Sequence, residues 1–190
     1  MNFSAVILAG GKSSRMGRDK AFLKINGRTL LDRQIDTLVA ADAEDILISG
    51  RPGVDYSAFG CRVLTDELPE AGPLAGIHEA LKVSRQPLVL VLAVDLSEMN
   101  AMFLRSLLMA ATAGQGIVPR VGGRVEPLAA VYPHTALPLV EQMLAQGDHA
   151  AQSFASACVQ AGLAAYEDVP DDFARLFKNL NSPADLSCLT

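Results

Sequence analysis

Short apolar runs and helical stripes alternate along this chain. "FSAVILA" is brief, continuously apolar and stopped by glycine, the pattern of a buried strand. "TLLDRQIDTLVAAD" places Leu30, Leu31, Ile35, Leu38 and Val39 at three-and-four spacing, one face of a helix over 29–42, with Thr29 as its N-cap. "DILIS" and "CRVLTD" are the next strands, and "GPLAGIHEALKVS" is a helix that tolerates Pro73 in its first turn. "PLVLVLAVD" is the clearest buried strand, followed by the helix "MNAMFLRSLLMAATA". "GIVPRV" and "EPLAAVYP" flank Gly122-Gly123 as a hairpin. Two helices, "ALPLVEQMLAQG" and "AAQSFASACVQAG", precede a last strand, "AAYEDV". The tail "FKNLNSPADLSCL" reads as a loop entering a short helix capped by Ser182.

Strand-helix alternation predicts an α/β fold: a mostly parallel, Rossmann-like sheet with helices on both faces, a three-layer sandwich in one domain over 1–190. Ligands in such sheets bind beyond the carboxyl ends of the strands. Gly10, Asp66 and Asp95 follow the first, third and fourth predicted strands, so they are the first candidates for a site.

Composition narrows the classes. The chain has 190 residues, half of them hydrophobic, and a net charge of −5, which disfavours a broad nucleic-acid-binding face. Cys61, Cys158 and Cys188 are far apart and lack zinc-ligand spacing, and His78, His134 and His149 do not cluster with them. Reduced thiols and a cytoplasmic location are the simpler expectation. No apolar run approaches the roughly 20 residues of a membrane span, and the amino terminus lacks the basic region of a signal peptide.

Against that acidic background, Lys12, Arg15, Arg18, Lys20, Lys24 and Arg28 face one acid, Asp19, just after the first strand, and a nearby strand, "AFLKI", would hold Lys20 at the loop's end. Such density after paired glycines points to phosphate. "GKSS" is not a P-loop, because the required earlier glycine is Val6, and a dinucleotide fingerprint would need glycine at Lys12 or Ser13.

"LAGGKSSRMGRDKAFL" resembles the LAGGxSxRMGxDKxLL signature of the molybdenum cofactor guanylyltransferases, the MobA family of nucleotidyltransferases. "DELPEAGPLAGI", "VLAVDL", "EPLAAVY" and "FKNLNSPADL" are similar to further segments of that family, so the likeness runs the whole length. It implies the nucleotide-diphospho-sugar transferase type of fold. It also implies transfer of GMP from GTP to the terminal phosphate of molybdenum-molybdopterin, with pyrophosphate released and Mg²⁺ required. On the same resemblance Leu8, Ala9 and Gly10 hold the base and ribose edge through backbone atoms, and Gly11 keeps the turn open. Arg15 and Lys20 neutralise the triphosphate, Asp66 contacts the nucleotide, Asp95 holds Mg²⁺, and Asn181 is a further ligand contact. The implied partners are the nucleotide and the pterin cofactor, with room for transient contact with molybdoenzyme-maturation proteins, and neither nucleic acid nor membrane.

The chain departs from the family at two points. Ile48-Ser49-Gly50 stands where an asparagine is frequent, and Glu126 stands where glutamine or histidine is usual. Glu126 would be unfavourable beside an anionic substrate unless it faced a cation such as Arg124. Transfer of CMP to the same cofactor, nucleotidyl transfer to another phosphorylated acceptor, and a non-catalytic nucleotide-binding regulator stay open as alternatives.

Overall fold

The computed structural model describes residues 2–10, 19–64 and 72–180. Its strands are β1 (Phe3–Leu8), β2 (Lys24–Ile25), β3 (Arg28–Thr29), β4 (Asp45–Ser49), β5 (Arg62–Leu64), β6 (Leu88–Ala93), β7 (Gly116–Val121), β8 (Arg124–Val125), β9 (Ala129–Pro133) and β10 (Ala164–Val169). Its helices are α1 (Leu30–Ala40), α2 (Gly72–Val83), α3 (Ala101–Ala110), α4 (Leu137–Ala145) and α5 (Ala151–Gln160). The main sheet runs β5-β4-β1-β6-β9-β7-β10, with β8 paired to β7, while β2 and β3 form a separate small hairpin.

Local signals account for most boundaries. Thr29 caps α1 in a reciprocal box with Asp32: each side chain accepts the other residue's backbone N–H. Asn100 caps α3, its side-chain oxygen accepting the Phe103 N–H at 2.9 Å. Alternate residues of the central strands feed opposite faces. In β1, Phe3, Ala5 and Ile7 join α1 and α3 in one core, whereas Val6 and Leu8 join α2, α4 and α5 in the other. Every residue of β1 and β6 is buried. Such two-sided burial of a continuous apolar strand is what covering a parallel sheet with helices demands, and each large side chain so buried contributes about 1.5–3 kcal/mol.

The strands β5, β4, β1 and β6 are mutually parallel, and β10 is parallel to β7. Between these two blocks β9 runs against both neighbours. The expected hairpin exists in altered form. Gly122 and Gly123, both at positive φ, turn β7 into the two-residue β8, and the chain then leaves the ladder before resuming as β9. At Gly116 a Cβ would lie 2.0 Å from the Val131 carbonyl oxygen, so only glycine permits the β7–β9 approach.

One expectation is corrected. "AFLKI" is not a strand: Lys20–Phe22 is a 3₁₀ turn, and only Lys24–Ile25 is extended in a ladder. A 3₁₀ helix at Asp171–Phe177, just ahead of the tail, packs Leu176 and Phe177 onto the α1/α3 core. The expected contacts at Gly11, Arg15, Asp66 and Asn181, and the cap at Ser182, lie outside the described residues.

Candidate active site at the carboxyl edge of the sheet

Strand register builds the site. Leu8 of β1 sits level with Ser49 of β4 on one side and Ala93 of β6 on the other, so three parallel strands end in one row. The row continues one step further: Ala9 N–H donates to the Ser49 carbonyl at 2.8 Å, and Val94 N–H to the Leu8 carbonyl at 3.2 Å. From β1 the chain proceeds to β4 on one side, whereas β6 is added on the other. This is the topological switch point, between β1 and β6, the place where open sheets of this kind offer a ligand crevice. Gly10 and Asp95 emerge at its two lips.

The three glycines bordering this edge differ in kind. At Gly50 a Cβ would fall 2.2 Å from the Tyr56 ring, and at Gly76 it would fall 2.4 Å from the Ser49 hydroxyl. Both are glycine because the chain packs against them. Gly76 in particular lets α2 settle against Leu8 and Ser49, which supports a packing role for "GPLAGI". Gly10 is exposed, and a Cβ there would meet its nearest neighbour, the Gly50 carbonyl oxygen, at an ordinary 3.4 Å. Packing does not require that glycine, which suits a position where a ligand comes close to backbone.

At this edge, the Lys20 ammonium donates to Asp95 Oδ2 at 2.9 Å. The two side chains are 21% and 20% exposed, reachable from solvent yet held. Asp95 does not serve as the cap of α3, a role Asn100 fills. Its backbone is fixed on three counts. Gln34 of α1 donates through Nε2 to the Leu96 carbonyl at 2.8 Å and, more weakly, to that of Val94 at 3.5 Å. The carbonyl of Asp95 itself accepts the Leu180 N–H at 3.0 Å, which brings the closing segment to this edge.

Lys20 is held from the other side. Asp19 Oδ1 accepts the Ala21 N–H at 3.0 Å and so caps the 3₁₀ turn that begins with Lys20. Asp19 Oδ2 accepts the Tyr56 hydroxyl at 2.9 Å. Burial, above all, pushes the Tyr56 hydroxyl up to about 12, so it stays a donor at neutral pH. Glu126, whose segment lies at the same edge because Ala93 N–H donates to the Leu128 carbonyl, accepts Arg124 Nε at 2.8 Å. The expected counter-cation is therefore in place.

Of the sequence-derived candidates, Leu8, Ala9, Gly10, Lys20 and Asp95 come together at one edge. The Leu8 carbonyl and Ala9 N–H are committed to the sheet, so the backbone leaves the ladder only past that N–H. Asp19, Gln34 and Tyr56 were missed. Gln34 was detectable in principle, since it breaks the apolar stripe Leu30, Leu31, Leu38 while being only 2% exposed. Tyr56 left no local signal.

A family model described as "MobA-like NTP transferase domain" matches residues 5–163. The chain belongs to the MobA-like NTP transferase family. It is 35% identical over 187 residues to a protein of Pseudomonas putida named molybdenum cofactor guanylyltransferase, covering 96% of this chain and 95% of that one. A protein of the same name from Syntrophotalea carbinolica is 34% identical over 187 residues, covering 96% and 88%. Among solved structures, molybdopterin-guanine dinucleotide biosynthesis protein A from Archaeoglobus fulgidus superposes with a TM-score of 0.78 at 22% identity, covering 98% and 96%. At that identity the superposition speaks for the fold alone.

Proposed function

We propose that the chain is a Mg²⁺-dependent guanylyltransferase that moves GMP from GTP to the terminal phosphate of molybdenum-molybdopterin and releases pyrophosphate. The observation that carries this reading is the Lys20–Asp95 pair at the switch point, in a chain of this family. The attacking phosphate oxygen is already ionised at neutral pH, so no general base is needed. The obstacle is charge: two anions must meet, and more charge develops on the leaving pyrophosphate. Fixed cations and positioning therefore supply the catalysis.

Lys20 presents a compact ammonium on a turn capped by its neighbour, suited to the α-phosphate. Its release from Asp95 is offset when the ammonium meets phosphate oxygens and the carboxylate meets a divalent ion. The Asp95 carboxylate already attracts a cation and is reachable from the crevice, so it fits a divalent ion. Among the described residues there is no group of three or more His, Cys, Asp or Glu side chains close enough to hold a metal. One carboxylate completed by substrate phosphates and water is the manner in which Mg²⁺ is commonly bound. When bound there, the ion would offset charge on the phosphate oxygens. Arg124 keeps the Glu126 carboxylate partly neutralised at the edge where an anionic acceptor must approach.

Thermal unfolding with each nucleotide and Mg²⁺ tests the base. A nucleotide at a hundred times its Kd adds about 2.7 kcal/mol of stability. GTP should raise the melting temperature and CTP should not, and transfer of label from α-labelled GTP to molybdenum-molybdopterin should follow. Stabilisation by CTP alone, or GTP binding without any transfer, defeats the proposal.

A further inference from the structure

The turn that carries Lys20 has three residues, too few to hold its own orientation. What lies behind it is more rigid. Tyr56 is 1% exposed, and its ring fills the space over Gly50 that a Cβ would otherwise occupy. The same ring stacks on Phe22, the last residue of the turn, with centroids 5.6 Å apart and planes 25° apart. The Tyr56 hydroxyl uses both its capacities. It accepts the Arg51 N–H at 3.1 Å and donates to Asp19 Oδ2 at 2.9 Å. A hydrogen bond from a hydroxyl to a carboxylate is among the strong kinds. One buried phenol therefore ties the end of β4 to the residue immediately before Lys20.

We infer that Tyr56, acting through Asp19, is a positioning residue that sets where the Lys20 ammonium stands relative to Asp95. The geometry gives it two effects. It fixes the capped start of the turn, from which the Lys20 side chain departs. It also occupies one oxygen of the Asp19 carboxylate. Without the phenolic O–H, that oxygen loses its partner and leaves an unpaired carboxylate charge on the residue next to Lys20. Displacement of a positioned charge by about 1 Å can cost on the order of a hundredfold in rate. The functional consequence rests on the proposed role of Lys20 at the phosphates; the placement of Lys20 does not.

Tyr56→Phe keeps the ring over Gly50 and removes only the hydroxyl. Asp19→Asn keeps a capping oxygen and removes the charge. Two readouts on the full chain decide. The first is the side-chain signal of Lys20 in lysine-labelled protein, assigned by its loss in Lys20→Ala; the chain has five lysines, so overlap is slight. That signal should shift in both variants while those of Lys82 and Lys178 stay put. The second is the rate of GMP transfer from GTP. Tyr56→Phe should lower kcat about tenfold or more with KM for GTP nearly unchanged. In the Lys20→Ala background it should lower the rate no further. An unmoved Lys20 signal, a kcat within about twofold of wild type, or a loss that recurs in full without Lys20 overturns the inference. If Lys20→Ala itself transfers GMP at the wild-type rate, or wild type transfers none, the proposed function falls. The Lys20 signal still judges the placement.

Discussion

Two ion pairs set two regions of the molecule apart. At the β1–β6 crevice Lys20 meets Asp95 through one contact of 2.9 Å. On the far block of the sheet, Arg120 of β7 and Asp168 of β10 face each other in register and join through two contacts of 2.6 and 2.7 Å. Arg120 also lies over the Tyr166 ring, 5.3 Å from its centroid. By geometry alone the second pair is the better one. Yet its side chains are 37% and 72% exposed, and it lies on strands remote from the switch point. Asp168 even lines a cavity of about 310 Å³ with Met102, Phe103 and Phe173. The poorer pair has what the better one lacks: a place at the switch point, and separate scaffolding on each partner through Asp19–Tyr56 and Gln34. On the proposed function, that support and its place in the topology set the first pair apart, not the quality of the bond.

Substitutions can break this contrast. Lys20→Ala and Asp95→Ala should each reduce GMP transfer a hundredfold or more, the loss of about 3 kcal/mol expected when a fixed charge is removed from a developing one. Neither should lower the melting temperature much, and steady-state kinetics beside a melt tests both halves of that statement. Gly50→Ala should be costly in stability instead, by about 1–3 kcal/mol, because the new methyl group collides with the Tyr56 ring. Denaturant unfolding reads that loss, and a neutral result would mean the ring is not wedged as described. Asn100→Ala should cost about 1 kcal/mol through loss of the α3 cap, with transfer retained. If Asp95→Ala were the destabilising change and Asn100→Ala neutral, Asp95 would be the cap and the crevice assignment would fail.

The smallest effect belongs to Asp168→Asn. Hydrogen bonding from Arg120 holds the Asp168 carboxyl below its ordinary value of 3.8. Whatever the pair contributes is therefore present above that ordinary value and lost as pH falls through the depressed one. Melting curves of wild type and variant should run nearly parallel at neutral pH and converge only in acid, with GMP transfer untouched. A loss of transfer in Asp168→Asn would erase the distinction between the two regions.

Much of this was legible in the chain. The spans of β1, β6, α1 and α2, the cap at Thr29, and the places of Gly10 and Asp95 just past strand ends all followed from neighbours within a few residues. The hairpin was seen but not its break, because what allows β7 to lie against β9 is the close approach at Gly116, a contact across the sheet. "AFLKI" was misread because its apolar run is real, while the cap from Asp19 and the ring of Tyr56 turn its first residues into a 3₁₀ helix. Tyr56 and Gln34 escaped notice for one reason. Their partners are 37 and about 60 positions away, a separation no periodicity reports.

What the amino-acid sequence determined by itself was the alternation of elements, the acidic composition with its one basic loop, and the side chains able to meet phosphate. Hydrophobic period and capping act over a turn or two, so they are written locally. What only the tertiary structure decided was that β6 lies beside β1, that Lys20 reaches Asp95 across the gap, and that a buried phenol stands behind Lys20. Those are pairings between distant segments, chosen by which apolar faces could be covered together and by which buried polar atoms found partners once they were.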